Sequence, residues 1–320
     1  MAKTIEEDTF SKSILGLLSG TPLGELNIIP EKNRLTEFFY ENNEAWKKTA
    51  EEITNNLDNM GINYVLMKVF LVPNVHLDDV DLLIENKDDA LKTLSMLRQA
   101  GYSLYTDRYS LNRLKVTAIS SASGIQVDVY PEATWFNMRY APKSFITAQR
   151  IRRSAWGISA YLPNPTLDLY IVITHSYNHG FVSLAEVAYV VFLLTKYEID
   201  WSMLKELSNS YKLNHALILY LKIARLCMKN DASKKEVDNL IKKILEKDLL
   251  SRIYSEWFEK TPAKSFPVKI PYKLRILSAV IRIFRPSLKF YTKVYDELLG
   301  YGLALLYRGD RREVLKDSKP

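Results

Sequence analysis

Leu77-Asp78-Asp79-Val80-Asp81-Leu82-Leu83-Ile84 is the stretch on which the reading of this chain turns. An acidic pair, one residue apart, opens a short apolar run. In a β-strand, residues i and i+2 project from the same face. Asp79 and Asp81 therefore stand side by side, while Val80 and Leu82 point into a core. Two adjacent carboxylates repel each other, so the arrangement is costly without a cation between them. Mg²⁺ is the natural occupant, a hard ion held by one or two carboxylates together with substrate phosphates. A bare Asp-x-Asp also reads as an acidic strand edge, so the surroundings decide.

Working outward, Glu31 to Asn59 reads as a long helix with Leu35, Phe38, Phe39, Trp46, Ile53 and Leu57 on an apolar stripe, stopped by Gly61. Before it, a short helical pattern over Phe10–Leu18 is broken by Gly20, Pro22 and Gly24. The period then changes, and Ile62–Phe70 reads as a strand leading to the acidic run. Lys87–Gln99 follows as an amphipathic helix with Ala90, Leu91, Leu94 and Leu97 on one face and Gly101 past its end. Leu111–Ser120 and Ile125–Tyr130 flank the turn Ser121-Ala122-Ser123-Gly124 and predict a β-hairpin.

After Pro131 the strand signals fade, and Pro163 and Pro165 mark a boundary. Helical patterns then cover Leu167–Asn178, Ser183–Thr195, Trp201–Tyr211, Ala216–Met228, Lys234–Glu259, Pro271–Phe284 and Ser287–Tyr307. The expected fold class is α+β, a small mixed β-sheet domain followed by an all-helical domain. The expected boundaries are an N-terminal helical segment over 1–34, the α+β domain over 35–155, the helical domain over 160–310 and a basic polar tail over 311–320.

The 320 residues are 47% hydrophobic and 25% charged, the composition of a folded globular chain. No apolar run approaches the ~20 residues that span a bilayer, and Met1 to Glu7 open no signal-peptide pattern. Cys227 is the single cysteine, which excludes an intrachain disulfide and suits a reducing cytoplasm; beside Leu226 and Met228 it reads as a small buried hydrophobe. The net charge is +7, and it is uneven: residues 261–320 carry 13 Lys and Arg against 5 Asp and Glu, a net +8. A basic end on a near-neutral body points to a polyanion such as RNA as partner. An archaeal-like composition rich in Lys, Ile and Tyr gives a basic chain without any such partner. Within 271–290, the apolar Leu274, Ile276, Leu277, Val280, Ile281, Ile283 and Phe284 interleave with Lys273, Arg275, Arg282, Arg285 and Lys289. Such a helix suits packing on the helical domain, an RNA backbone or a membrane surface.

Asp128 lies in the second hairpin strand, Ile125-Gln126-Val127-Asp128-Val129-Tyr130. If that strand pairs beside the one bearing Asp79 and Asp81, a third carboxylate reaches the same face. Three carboxylates there make a two-metal centre for in-line phosphoryl displacement.

Here the sequence resembles the uncharacterised nucleotidyltransferase family, a branch of the polymerase-β-like nucleotidyltransferase superfamily. The resemblance covers roughly 35–240. It is carried by Leu66-Met67-Lys68 ending the first strand, by Asp79-Val80-Asp81-Leu82-Leu83-Ile84, by Gly101-Tyr102 after the helix, and by Val127-Asp128-Val129. Further on it is carried by Leu162-Pro163-Asn164-Pro165, a helix holding His175 and His179, and a helix opened by Asp200-Trp201. The resemblance implies transfer of a nucleoside monophosphate from an NTP to a hydroxyl or phosphate acceptor on RNA or tRNA, a protein or a small molecule. It implies Mg²⁺ (or Mn²⁺) held by Asp79, Asp81 and Asp128 as the catalytic set, and a nucleotide as binding partner. Two positions depart from the pattern. Val69-Phe70 replaces the small residue after Lys68, where a β-branched side chain would crowd the phosphates, and Val75-His76-Leu77-Asp78 lacks the usual arginine. Those departures leave open a catalytically degenerate module that binds RNA or a protein partner.

Lys68 is the candidate phosphate ligand, or a strand-end lysine with its head in solvent. Arg113 and Lys115 alternate on a strand and share a face, fit for phosphate or simply solvated. His175 and His179, four apart, share one helical face and read as substrate contacts or as hydrogen-bonding residues of the fold. With Ser176-Tyr177-Asn178 between them, they do not form a zinc-protease motif. No Gly-x-Ser-x-Gly, Gly-x-Gly-x-x-Gly or Walker-type loop occurs. Phosphates must then be held by metal and a few basic side chains.

Overall fold

The computed structural model describes residues 32–69, 79–106, 115–135, 138–228, 231–260, 268–271, 273–275 and 278. Six of the expected features fall outside these residues: the segment over 1–31, the loop 70–78 before the acidic pair, Arg113, most of the basic stretch over 271–290, the helix over 287–307, and the tail over 311–320.

The first helix, α1, spans Lys32–Asn59. Trp46, Ala50, Ile53 and Leu57 recur at helical spacing and are buried, each large apolar side chain contributing roughly 2 kcal/mol. Gly61, at φ 66°, ends it as expected. Strand β1 (Tyr64–Met67) and strand β2 (Asp79–Ile84) then pair antiparallel. Helix α2 (Lys87–Gln99) is capped by Asn86, whose side chain accepts from the Asp88 amide at 2.8 Å. Its buried face is Ala90, Thr93 and Leu97, whereas the expected Leu91 is 56% exposed. Positions 90, 93 and 97 keep the i, i+3, i+7 spacing of one face, from which position 91 is rotated by a quarter turn.

Strands β3 (Tyr102–Thr106), β4 (Val116–Ser120) and β5 (Gln126–Tyr130) complete a five-stranded sheet in the order β1-β2-β5-β4-β3. The predicted hairpin is β4–β5, and β5 runs parallel to β2 at the centre. The β3 edge was not anticipated from the pattern; Tyr-Ser-Leu-Tyr-Thr pairs only with β4. On one face Tyr64, Leu66, Val80, Leu82, Ile84, Val127 and Val129 join a core with Trp46, Ile53, Leu57 and Leu97. On the other, Val65, Met67, Leu83 and Tyr130 join the core of the following helices. The alternation of strand side chains thus welds the sheet to two separate cores.

Contrary to the fading of strand signals after Pro131, more strands follow. These are the pair β6 (Thr134–Trp135) and β7 (Met138–Arg139), and, after helix α3 (Lys143–Ala148), a hairpin of β8 (Arg150–Ala155) and β9 (Ile158–Pro163). The hairpin was hidden for two reasons. Its first strand reads Arg-Ile-Arg-Arg, and its turn places Trp156 at φ 55° before Gly157 at φ 81°, a conformation usually signalled by Asn-Gly or Asp-Gly.

The helical half begins with α4 (Pro165–His179), capped by the Asn164 side chain on the Leu167 amide at 2.9 Å and closed by Gly180 at φ 83°. Strand β10 (Phe181–Val182), α5 (Leu184–Lys196), α6 (Trp201–Ser210) and α7 (Asn214–Cys227) follow. Ser183 and Glu186 form a capping box on α5, and Asp200 caps α6. Cys227 is buried as expected, and burial pushes its thiol up to about 12. The single helix expected over 234–259 is two, α8 (Asp231–Leu245) and α9 (Leu249–Lys260). Asp248 breaks it, its carboxylate accepting from the Leu250 amide and the Ser251 hydroxyl at 3.2 and 2.6 Å.

A last short strand, β11 (Val268–Lys269), pairs with β10. The Ile270 amide donates to the Gly180 carbonyl at 2.9 Å, Arg275 Nη2 donates to the Asn178 carbonyl at 3.0 Å, and Ser278 Oγ lies 2.6 Å from His215 Nε2. Among the described residues no helix is long and apolar enough to cross a membrane.

Candidate active site

The parallel pairing of β2 and β5 places Asp81 directly opposite Asp128 and Asp79 opposite Gln126. Paired residues of adjacent strands share a face, so the period-two alternation that brings Asp79 beside Asp81 also brings in Asp128. One carboxylate oxygen of each of the three lies within 4.8 Å of the others. Asp81 and Asp128 are buried, and Asp79 is half-buried at the outer end of the strand. The Trp46 indole N–H donates to the Asp79 carbonyl at 2.7 Å, fixing the backbone under the acidic pair.

Two lysines meet these acids. Lys68 follows β1, whose last residue pairs with Asp81, and its Nζ lies 2.7 Å from Asp81 Oδ2. Its side chain is only 9% exposed, and its backbone sits at φ 55°, a left-handed conformation costing a residue other than glycine roughly 1–2 kcal/mol. Strain of that kind at a cluster of charge is typical of functional sites. Burial pulls the Lys68 ammonium down, but Asp81 and Asp79 together outweigh it and hold the group above its ordinary value. Val69, expected to crowd the phosphates, instead buries its side chain in the core behind the sheet with Trp46 and Val80. Lys115, just before β4, forms an ion pair with Asp128 Oδ2. Both ammonium groups flank the Tyr130 ring, at 5.6 Å for Lys68 and 5.4 Å for Lys115.

Asp81 and Asp128 differ in what surrounds them. Asp128 Oδ1 accepts from Thr117 Oγ1 at 2.7 Å and Gln126 Nε2 at 2.9 Å, while Oδ2 takes Lys115 and the Tyr130 hydroxyl, the latter at 3.3 Å. Asp81 Oδ2 takes Lys68, but its Oδ1 is buried without a hydrogen-bond partner. Burial first, and then the Asp79 charge, push the Asp81 carboxyl up to about 7 against the opposing pull of Lys68. A buried, bare carboxylate oxygen facing two further carboxylates is the donor set a hard divalent cation requires. Asp79, Asp81 and Asp128 therefore fit Mg²⁺ or Mn²⁺.

Helix α4 brings both predicted histidines to the same place. His175 Nε2 lies 3.4 Å from Lys68 Nζ and 2.9 Å from His179 Nε2. An ammonium only donates, so His175 Nε2 is the acceptor in its contact with Lys68, while the direction of the bond between the two histidines follows from their tautomers. The site thus gathers Asp79, Asp81, Asp128, Lys68, Lys115, His175 and His179.

Reading by spacing missed the groups that hold Asp128. Gln126 and Tyr130 flank it at i−2 and i+2, a signal present in the alternation, and Thr117 lies opposite it across the hairpin. Also missed was Asp168 of α4, which accepts from Arg153 Nη2 of β8 at 2.8 Å and the Tyr189 hydroxyl of α5 at 2.6 Å. Burial pushes its carboxyl up to about 6 despite Arg153 and Tyr189. This pair ties the β8–β9 hairpin to the helix bearing the histidines.

A mixed sheet that gathers three carboxylates on one face, with helices behind it and a helical half in front, is an α+β nucleotidyltransferase domain plus helices. The chain belongs to the family described as uncharacterised nucleotidyltransferase, which matches residues 32–229, more than half of its length. Nothing among curated proteins matches it.

Proposed function

We propose that this protein is a divalent-metal-dependent nucleotidyltransferase that moves a nucleoside monophosphate from an NTP to a hydroxyl or phosphate acceptor and releases pyrophosphate. The convergence of Asp79, Asp81 and Asp128 across the parallel β2–β5 pair carries the reading. Asp79 and the bare Oδ1 of Asp81 hold Mg²⁺ or Mn²⁺, and Asp128 completes the set. The bound ion supplies neutralisation of phosphate charge and a more acidic acceptor hydroxyl. Lys68 contacts the triphosphate, and His175 and His179 hold it toward the acids while meeting the substrate from the helical side. The donors around Asp128 favour a positioning role for it over proton abstraction. The acceptor is RNA or tRNA, a protein or a small molecule, with the basic residues beyond 261 as the surface for a polynucleotide.

A second reading is a degenerate module that binds RNA or a protein partner without turnover. One observation favours it: Lys68 and Lys115 already neutralise two of the carboxylates. Incubation with labelled NTPs, Mg²⁺ or Mn²⁺ and total RNA or protein separates the two. Label transfer that disappears in Asp79→Ala supports the enzyme. Absence of both transfer and metal-dependent NTP binding refutes it.

A further inference from the structure

We propose that Lys115 is a resident counter-cation of the acidic centre, which a divalent ion must displace before Asp128 can join its coordination. Metal and lysine then exclude one another at this carboxylate. The inference rests on the metal-dependent reading above.

An ionised carboxylate offers about four lone-pair directions. Asp128 is fully buried, and four donors fill them, two on each oxygen. Three of the donors are built into the sheet. Gln126 and Tyr130 belong to the strand of Asp128 itself, and Thr117 is its cross-strand partner. The sheet fixes their backbones beside the carboxylate, and all three are neutral groups that a cation does not repel. Lys115 is different: it precedes β4, its side chain is 26% exposed, and its four-carbon stem ends in a point charge. It is the donor that can yield. The Tyr130 ring, 5.4 Å from its ammonium, offers the displaced charge a face to rest on.

Lys68 does not play this part. It is wedged at 9% exposure between Asp81 and His175, and it leaves Asp81 Oδ1 bare. A metal reaches Asp81 without moving Lys68 but reaches Asp128 only by moving Lys115. The ammonium released beside the centre then faces the phosphates of a bound nucleotide. Metal and nucleotide therefore strengthen each other's binding by more than direct chelation, and by the same factor in both directions.

The test is Mn²⁺ binding without nucleotide, read by the paramagnetic resonance of free Mn²⁺, on the full chain and on Lys115→Met and Lys115→Gln. The second variant keeps a donor but not the charge. Unfolding in EDTA confirms that at least one variant folds. Either folded variant is expected to bind Mn²⁺ about tenfold more tightly, equivalent to ~1.4 kcal/mol. Lys115→Arg, which keeps the charge, is expected not to gain affinity. Mn²⁺ affinity in both neutral variants at or below that of the unmodified chain overturns the inference. If Asp81→Asn abolishes Mn²⁺ binding in the same experiment, the metal site stands and only the role of Lys115 falls. No Mn²⁺ binding by any form overturns both.

Discussion

Asp81→Asn should make the metal-free protein more stable while removing its capacity for metal. The carboxyl is buried beside Asp79, and its value of about 7 in the fold compares with an ordinary 3.8. An acid whose folded value is raised lends stability that is fully present below the ordinary value and lost as pH rises through the folded one. At pH 8 the ionised Asp81 therefore costs the fold stability, on the order of a few kcal/mol. Lys68, held above its ordinary value by the same acids, offsets part of that cost. Asparagine keeps the shape and an acceptor for Lys68 without the charge. In EDTA at pH 8 the variant should melt roughly 5–10 °C above the unmodified protein, and near pH 4 the difference should vanish. Added Mg²⁺ should raise the melting temperature of the unmodified protein alone. An Asp81→Asn variant that melts at or below the unmodified protein in EDTA at pH 8 would show the Lys68 pair to be net stabilising and refute the reasoning.

Asp168 allows a similar test away from the acidic centre. With its carboxyl raised to about 6, the stability it contributes is lost between pH 4 and 6, so the difference in unfolding free energy between the unmodified protein and Asp168→Asn should change by about 3 kcal/mol across that range. Urea unfolding at a series of pH values measures it, and a difference that stays flat counts against the assignment. Trp46→Phe removes the indole donor to the Asp79 carbonyl and loosens a buried contact; a loss of roughly 2–4 kcal/mol is expected by denaturant unfolding, together with weaker Mn²⁺ binding.

The acidic face was legible because it obeys the simplest rule of strands. Asp79 and Asp81 are separated by one residue, and Asp128 follows a four-residue turn whose hairpin puts it on a neighbouring strand. The helical half was legible from apolar spacing, and the structure adds Asn164, Ser183 and Asp200 as the caps of its helices. What could not be read depends on sequence-distant partners. Asp168 meets Arg153 and Tyr189 from two other elements, and nothing in the local pattern of any of them announces it. The left-handed turn at Lys68 and the one at Trp156 were equally hidden, since neither residue type favours positive φ. The β8 strand lay under three arginines, which Asp58, Asn63 and Asp168 engage only in the folded chain.

The residues after 267 carry a consequence for what counts as one unit of this protein. The match to the family ends at residue 229. Yet the last turn of the helix bearing His175 and His179 is finished by the Ile270 amide and the Arg275 guanidinium, which satisfy carbonyls on either side of His179. The Arg275 side chain also fills the space a side chain on Gly180 would need, leaving 2.3 Å to a Cβ placed there. The stretch matched to the family and the stretch tied together in the fold are therefore different lengths. Damage to a segment beyond the family match reaches the histidines through the end of their own helix, without any residue of the acidic face being altered.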